Sequence, residues 1–519
     1  MSDGSRIYFN EDRGGTQVLA EVATTGGEPA LVTNNIPGSD LSAYAANPSR
    51  LLLRDDDEAA GWLLPLPGGE PRKVIEKASG GLSFAPNGDI AFIHVRNLYL
   101  AHGDGSDPHE IFTFPQGCPN SPIVSPDGTK IRASVCRNFL DQEIWEMKVD
   151  GKNVHAVVKG WEHRFDSRRG RWTADGKYFI LQSRREGRND LWVLAETGEW
   201  LGAKPDPVRL TNGPLSYELP FPSSDGKHLY VIGRKQRGEL VRFDRRSQEF
   251  IPFLSGISAR DVSVSNDGKW VAYASYPDHS LWRSRIDGSD RLQLTYPPTA
   301  VIWPHISPDG RQVVYGCVDE NRNPAAYAIS INGGTPRKIV DNAPLGANWS
   351  PDGNSVVALV RSFKNGDLQG THIETVDLRS GKITSIPDSI QGGPWWPLPN
   401  MLLAADCTNN NLHNGNCVIQ TFDLTTQKWS DLLETPINHW MPSIDGKYLY
   451  FSTGNVNPRA MRIRFSDRQV EDIVSLKGFR AIEDELSGPS WIGVTPDGDP
   501  LLTRDIGTDE IYDISLRWH

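Results

Sequence analysis

The sequence predicts an all-β protein of tandem β-propellers, and three observations carry that expectation. A turn phrase returns at blade-sized intervals, strand-like alternation follows each copy, and no stretch sustains helical periodicity. The phrase stands as Pro126-Asp127-Gly128, Pro308-Asp309-Gly310, Pro351-Asp352-Gly353 and Pro496-Asp497-Gly498. Weaker copies lie at Asp3-Gly4, Asn87-Gly88, Asp175-Gly176, Asp225-Gly226, Asp267-Gly268 and Asp445-Gly446, with eroded ones near Pro48 and Asn400. The spacing of roughly 40–50 residues is that of a four-stranded blade, which gives about twelve units.

Each residue of the phrase has a physical task. Proline presets φ for the first turn position, Asp or Asn bonds its own backbone two residues on, and glycine takes the left-handed conformation that closes a hairpin. The run after the turn, such as Lys269-Trp270-Val271-Ala272-Tyr273, reads as a second strand. A third follows at apolar-aromatic pairs such as Leu98-Tyr99, Ile144-Trp145 and Ile511-Tyr512. A fourth runs out near Leu210-Thr211 or Leu294-Thr295.

A single propeller holds four to eight blades, so 519 residues and about twelve units imply two rings. The expected division is 1–257 and 258–519, about six blades each, with the first and last blades incomplete. The first unit opens at its turn, and a closed ring needs strands from both ends. Sequence upstream of Met1 is therefore expected to supply the missing strands. No apolar run reaches the roughly 18 residues of a membrane span.

A net charge of −11 argues against nucleic-acid contact by this chain, because phosphate binding needs a dense basic stripe. One local cluster runs the other way: Arg164, Arg168, Arg169, Arg171, Arg184, Arg185 and Arg188 fall around the turn at Asp175. They are candidates for binding a carboxylate, phosphate or sulfate, set against a plain solvated edge. Trp303, His305, Trp395, Trp396, His439 and Trp440 stand near the entries to first strands, where they would face a channel mouth and stack on a sugar or grip a peptide. Packing between blades is the competing reading. Trp172 and Trp349, three residues before a turn Asp, read as structural.

Cys118 and Cys136 lie symmetrically about Asp127, so a regular hairpin places them face to face, where a disulfide is geometrically allowed. Cys407 and Cys417 bracket a loop between a second and a third strand. Two such pairs point to an oxidising compartment, with a cytoplasmic location as the alternative. Nucleophile-elbow, phosphate-loop, His-Glu-x-x-His and Cys-x-x-Cys motifs are absent from the sequence, so no catalytic residue, cofactor or metal is expected.

Longer phrases add a resemblance. Asp3-Gly4-Ser5-Arg6-Ile7-Tyr8-Phe9, Leu64-Pro65-Leu66-Pro67-Gly68-Gly69 and Arg504-Asp505-Ile506-Gly507-Thr508 are similar to the C-terminal TolB-like propeller region of bacterial winged-helix regulators of the CadC/ToxR type. That resemblance implies a sensor or interaction module that binds a small ligand or protein partner, on the periplasmic side of a membrane-tethered regulator. It supplies no catalytic residue, and the winged helix is not in this sequence. The rival expectation is a propeller lyase or hydrolase acting on oligosaccharide or peptide at the channel mouth.

Overall fold

The structure is a computed structural model that describes the chain except residues 14–16, 33–38, 47–48, 56–57, 116, 139–140, 159–169, 184–188, 197–205, 298, 319–323, 365–366, 388–391, 407–416, 455–456, 483–490 and 518–519. The described residues form twelve antiparallel sheets, ten of four strands and two of three. The protein is a tandem β-propeller. No helix among the described residues is long and apolar enough to cross a membrane.

The recurring phrase works as the sequence predicts, with one addition. The turn glycines sit at positive φ, for example Gly128 at 72°, Gly268 at 68° and Gly353 at 71°. The turn Asp accepts the backbone N–H two residues on, as from Lys269 to Asp267 at 3.1 Å. The addition is a hydroxyl two residues before the Asp. Ser265 Oγ donates to Asp267 at 2.6 Å and accepts the N–H of Trp270 at 2.9 Å, tying both strands to the turn. Ser125, Thr173, Ser223, Ser307, Ser350 and Ser443 repeat the arrangement.

The chain divides into two compact units, residues 1–235 with 508–519, and residues 236–507. The first unit holds blades 1–6, at residues 6–31, 39–75, 82–113, 118–156, 170–209, and 216–235 joined by Thr508–Ser515. The second holds blade 7, ordered Gly493–Val494, Pro500–Asp505, Gly238–Asp244 and Glu249–Pro252. Blades 8–12 follow at residues 259–293, 302–341, 348–385, 395–435 and 439–475.

The expected boundary between 257 and 258 is therefore not where contacts divide the chain. Gly238–Asp244 is the third strand of blade 7, and Thr508–Ser515 is the third strand of blade 6, where it pairs with His228–Lys235. Both segments carry an apolar third-strand pattern, Leu240-Val241 and Ile511-Tyr512. Local pattern cannot say which sheet receives which, because that choice is made by packing.

Neighbouring blades pack through buried aliphatic faces. Ile93 and Leu98 of blade 3 meet Ile131 and Met147 of blade 4, and Leu281 of blade 8 meets Val313 and Ile329 of blade 9. Each such side chain stabilises the fold by about 1.5–3 kcal/mol. Between blades 4 and 5 a buried cation adds to the seam. The Arg132 guanidinium lies 4.6 Å from the Trp172 ring and 4.3 Å from Phe179, paired with Glu146 and Glu196.

Cys118 and Cys136 are register partners and form a disulfide, Cα atoms 5.1 Å apart, as the symmetry about Asp127 predicts. Cys417 is also disulfide-bonded. Cys407, its expected partner, lies outside the described residues.

Candidate ligand-binding site

The axis of the first unit holds a cavity of about 290 Å³ lined by all six blades. Its polar lining includes Asn10, Ser42, Arg54, Asn120, Ser121 and Arg171, with Tyr8, Tyr230 and Met1 beside them. Its apolar lining includes Ile7, Phe9, Leu82, Ile123, Phe221 and Val231. No Asp, Glu, His or Cys is among the residues that line it. Arg171, on the first strand of blade 5, spans the ring and donates from Nη2 to the carbonyl of Ser42 on blade 2 at 3.4 Å. Arg54 Nη1 donates to the carbonyl of Ser79 at 3.1 Å.

The strands facing the axis in each unit are bent by one repeated device. The residue six positions before the turn Asp or Asn takes a left-handed φ at Gly81 (85°), Ser121 (51°), Leu219 (54°), Asp261 (53°), Trp303 (45°) and Gly346 (68°). In four of these blades the strand register shifts at that point. Such a bulge re-aims side chains, and a bulky residue such as Leu219 or Trp303 adopts it only at a cost. Gly81, Ser121 and Leu219 all line the cavity. Counting back six from each turn residue is a signal the sequence carried and motif searching passed over.

In the second unit the same positions build a different centre. Arg260 and Asp261 are buried at 1% and 2% exposure, Nε to Oδ1 3.8 Å, and the Trp303 N–H donates to Asp261 at 3.4 Å. The His305 ring of blade 9 packs edge-on against Trp395 of blade 11, centroids 4.6 Å apart, although blade 10 lies between those blades in the ring. Trp395 in turn lies 6.4 Å from Trp440. His439 Nδ1 accepts the N–H of Ile492 at 3.4 Å. Burial pushes His305 and His439 down to about 3, helped for His305 by the nearby His439 and for His439 by Arg260. Both imidazoles are neutral at pH 7.

The structure thus brings together four of the channel candidates, His305, Trp395, His439 and Trp440, while Trp303 reaches Asp261 through its backbone N–H. Trp396 does not join them, because its ring packs into the seam with Leu359, Leu402 and Phe422. Trp172 and Trp349 are buried at seams, and Trp349 Nε1 donates to the His305 carbonyl at 2.9 Å. Of the arginine cluster only Arg171 is described, and it points to the axis. Arg164, Arg168, Arg169, Arg184, Arg185 and Arg188 lie outside the described residues. No group of three or more His, Cys, Asp or Glu among the described residues is placed to hold a metal ion.

No family model matches the chain. Over 209 residues, 36% of this chain and 68% of the relative, it is 27% identical to an uncharacterized protein of Agrobacterium fabrum. Over 205 residues it is 25% identical to YuxL, an uncharacterized peptidase of Bacillus subtilis, a match that takes in 37% of this chain and 28% of that protein. Among solved structures it is similar to a presumptive TolB from Agrobacterium tumefaciens, at 20% identity and TM-score 0.41 over 52% of this chain and 99% of that one. The tricorn protease matches at 13% identity and TM-score 0.37 over 91% and 57%. An oligogalacturonate lyase from Vibrio parahaemolyticus matches at 10% identity and TM-score 0.35 over 75% and 98%.

Proposed function

We propose that the chain is a non-catalytic binding module, the sensing or interaction part of a bacterial signalling or transcription-regulatory protein. One observation carries the reading. The axial cavity of the first unit is shaped by six blades and lined by apolar groups, amides, hydroxyls, two guanidiniums and Met1, and none of its described side chains is a carboxylate, imidazole or thiol. The regulator assignment rests on the phrase-level resemblance. The Cys118–Cys136 disulfide supports a periplasmic setting.

A propeller lyase or hydrolase would draw on the His305–His439 cluster. That cluster is a poor acid–base pair, because imidazoles titrating near 3 are weak bases and carry no imidazolium proton to give at neutral pH.

The test is a thermal-shift screen of the full chain against small metabolites and peptides, repeated with Leu219→Trp, which places a bulky ring at the cavity wall. A binder whose shift disappears in that variant supports the reading. Binders that ignore the variant place the site elsewhere. Turnover of an oligosaccharide or peptide that is lost with His305→Phe would replace the binding reading with the enzymatic one.

A further inference from the structure

The first strands of blades 9–12, Ile302–Ile306, Asn348–Trp349, Trp395–Leu398 and His439–Pro442, carry polar groups that the fold leaves unmet. His305 meets Trp395 at 4.6 Å, Trp395 lies 6.4 Å from Trp440, and His439 is close enough to His305 to oppose its protonation. All four side chains are half-buried, so a space wide enough for water adjoins each of them. Enough protein surrounds the two imidazoles to push both to about 3, which sets that space inside the ring and not on its outer surface.

Among the described residues neither ring nitrogen of His305 has a hydrogen-bond partner, and neither has Nε2 of His439, whose Nδ1 accepts from Ile492. The indole N–H groups of Trp395 and Trp440 donate to nothing there either. Asn348 donates from Nδ2 to the Pro394 carbonyl at 2.7 Å and leaves its own side-chain oxygen unused among the described residues. Enclosed polar groups are nearly always paired, so a set left unpaired in one place calls for an occupant. Strain collects on the same strand as His305. Trp303 holds φ at 45°, and its buried Nε1 has no partner among the described residues.

We propose that this space binds an uncharged saccharide, its pyranose ring stacked on an indole and its hydroxyls bonded to the imidazoles, the indole N–H groups and the Asn348 oxygen. The mixture of groups selects the class. A neutral imidazole offers one donor and one acceptor, an indole one donor and an amide oxygen one acceptor site or two, so the occupant must both donate and accept, as hydroxyls do. The indole faces suit the apolar C–H face of a pyranose. Charged ligands are disfavoured, because both imidazoles are neutral at pH 7 and the Arg260–Asp261 pair beside His439, Nε to Oδ1 3.8 Å, carries no net charge. The site shares no residue with the axial cavity of the first unit, so each stands or falls separately.

The probes are maltose, cellobiose, lactose and mannobiose, titrated into the full chain by calorimetry with tryptophan fluorescence recorded alongside. At least one should bind tighter than about 1 mM, with anionic lactobionate and cationic choline at least about tenfold weaker. His305→Phe keeps a ring against Trp395 and removes both nitrogens, and should weaken the sugar about tenfold. Leu219→Trp, at the cavity of the first unit, should change nothing. The permethylated form of the bound sugar keeps its ring and loses every hydroxyl donor, and should fail to bind.

No disaccharide bound tighter than about 1 mM, or a charged control bound as tightly, overturns the saccharide proposal and leaves the first-unit reading standing. Should His305→Phe fail to fold, the permethylated sugar decides alone, and its binding as tightly as the parent overturns the proposal. Sugar binding lost in Leu219→Trp and kept in His305→Phe would move the ligand to the first unit, removing this site while supporting the other.

Discussion

The two rings use one repeat and end with different centres. In the second unit six first strands surround the axis. Contacts join Ala259–Val264 to Ile302–Ile306, Asn348–Trp349 to Trp395–Leu398, and His439–Pro442 to Gly493–Val494, which returns to Ala259–Val264. The Trp349–His305 bond and the Trp395–Trp440 contact join the remaining neighbours. His305 and Trp395 meet on the ring's inner face. Blade 7 makes this closure possible by combining strands from both ends of residues 236–507. In the first unit the inner strands line a cavity instead. The difference teaches that the same hairpin unit yields a cluster of aromatic and imidazole contacts or an arginine-lined cavity according to which side chains occupy the inner strands and their bulges.

The largest expected effect tests whether the second centre holds its ring together. Trp349→Ala removes a buried indole and its bond to the His305 carbonyl, and should cost about 3–5 kcal/mol. Hydrogen exchange should report lost protection in the first strands of blades 8–12 and retained protection in blades 2–6. Equal loss in both units would break the comparison.

Next comes the first unit's staple. Replacing Cys118 and Cys136 together by Ala opens a crosslink across 18 residues, which should cost about 3 kcal/mol. Asn120, Ser121 and Ile123 on that strand line the cavity, so binding to the first unit should weaken as well. Denaturant unfolding and titration of a ligand found in the thermal-shift screen measure the two effects, and a stability loss without a binding loss would separate the disulfide from the site.

A smaller effect separates the rings by pH. His305 and His439 fall from an ordinary 6.5 to about 3 on folding, so the unfolded chain binds the extra protons. Their stabilisation is therefore full above pH 6.5 and is lost progressively as pH falls towards about 3. The exchange stability of blades 8–12 should decline between pH 6.5 and about 4 and flatten in a His305→Phe, His439→Phe variant. The axial cavity of the first unit has no histidine in its lining, so the double substitution should leave the pH response of its blades unchanged.

The smallest is common to both units. Asp267 and Asp352 are held at about 2 by Ser265 and Ser350 and by the turn backbone. Folded values below the usual 3.8 mean stability present above that value and lost as pH falls towards about 2. Because these turns are exposed, Asp267→Ala should cost under about 1 kcal/mol, read as a small shift in the unfolding midpoint. A cost several times larger would show that the turn nucleates its blade.

Much of this protein was legible in its residues because hairpin chemistry is local. Pro, Asp and Gly at fixed places dictate the turn, and the turn fixes register closely enough to set Cys118 opposite Cys136. The cluster of His305, Trp395, His439 and Trp440 was legible as a set near first-strand entries, without its contacts. The expected division between 257 and 258 failed because Gly238–Asp244 and Thr508–Ser515 carry interchangeable patterns. Arg171 was legible only as one arginine among seven, since nothing local says which side chain turns inward at a bulge.

The sequence by itself determined the blade, the count of blades and the hairpin disulfide, all set by interactions within a few tens of residues. Only the tertiary structure decided which strands belong to each ring, and hence that Arg171 meets Ser42 across a cavity while His305 meets Trp395 past an intervening blade. Those contacts join blades far apart in the chain, and they are selected by the packing of whole sheets around an axis, which no local pattern encodes.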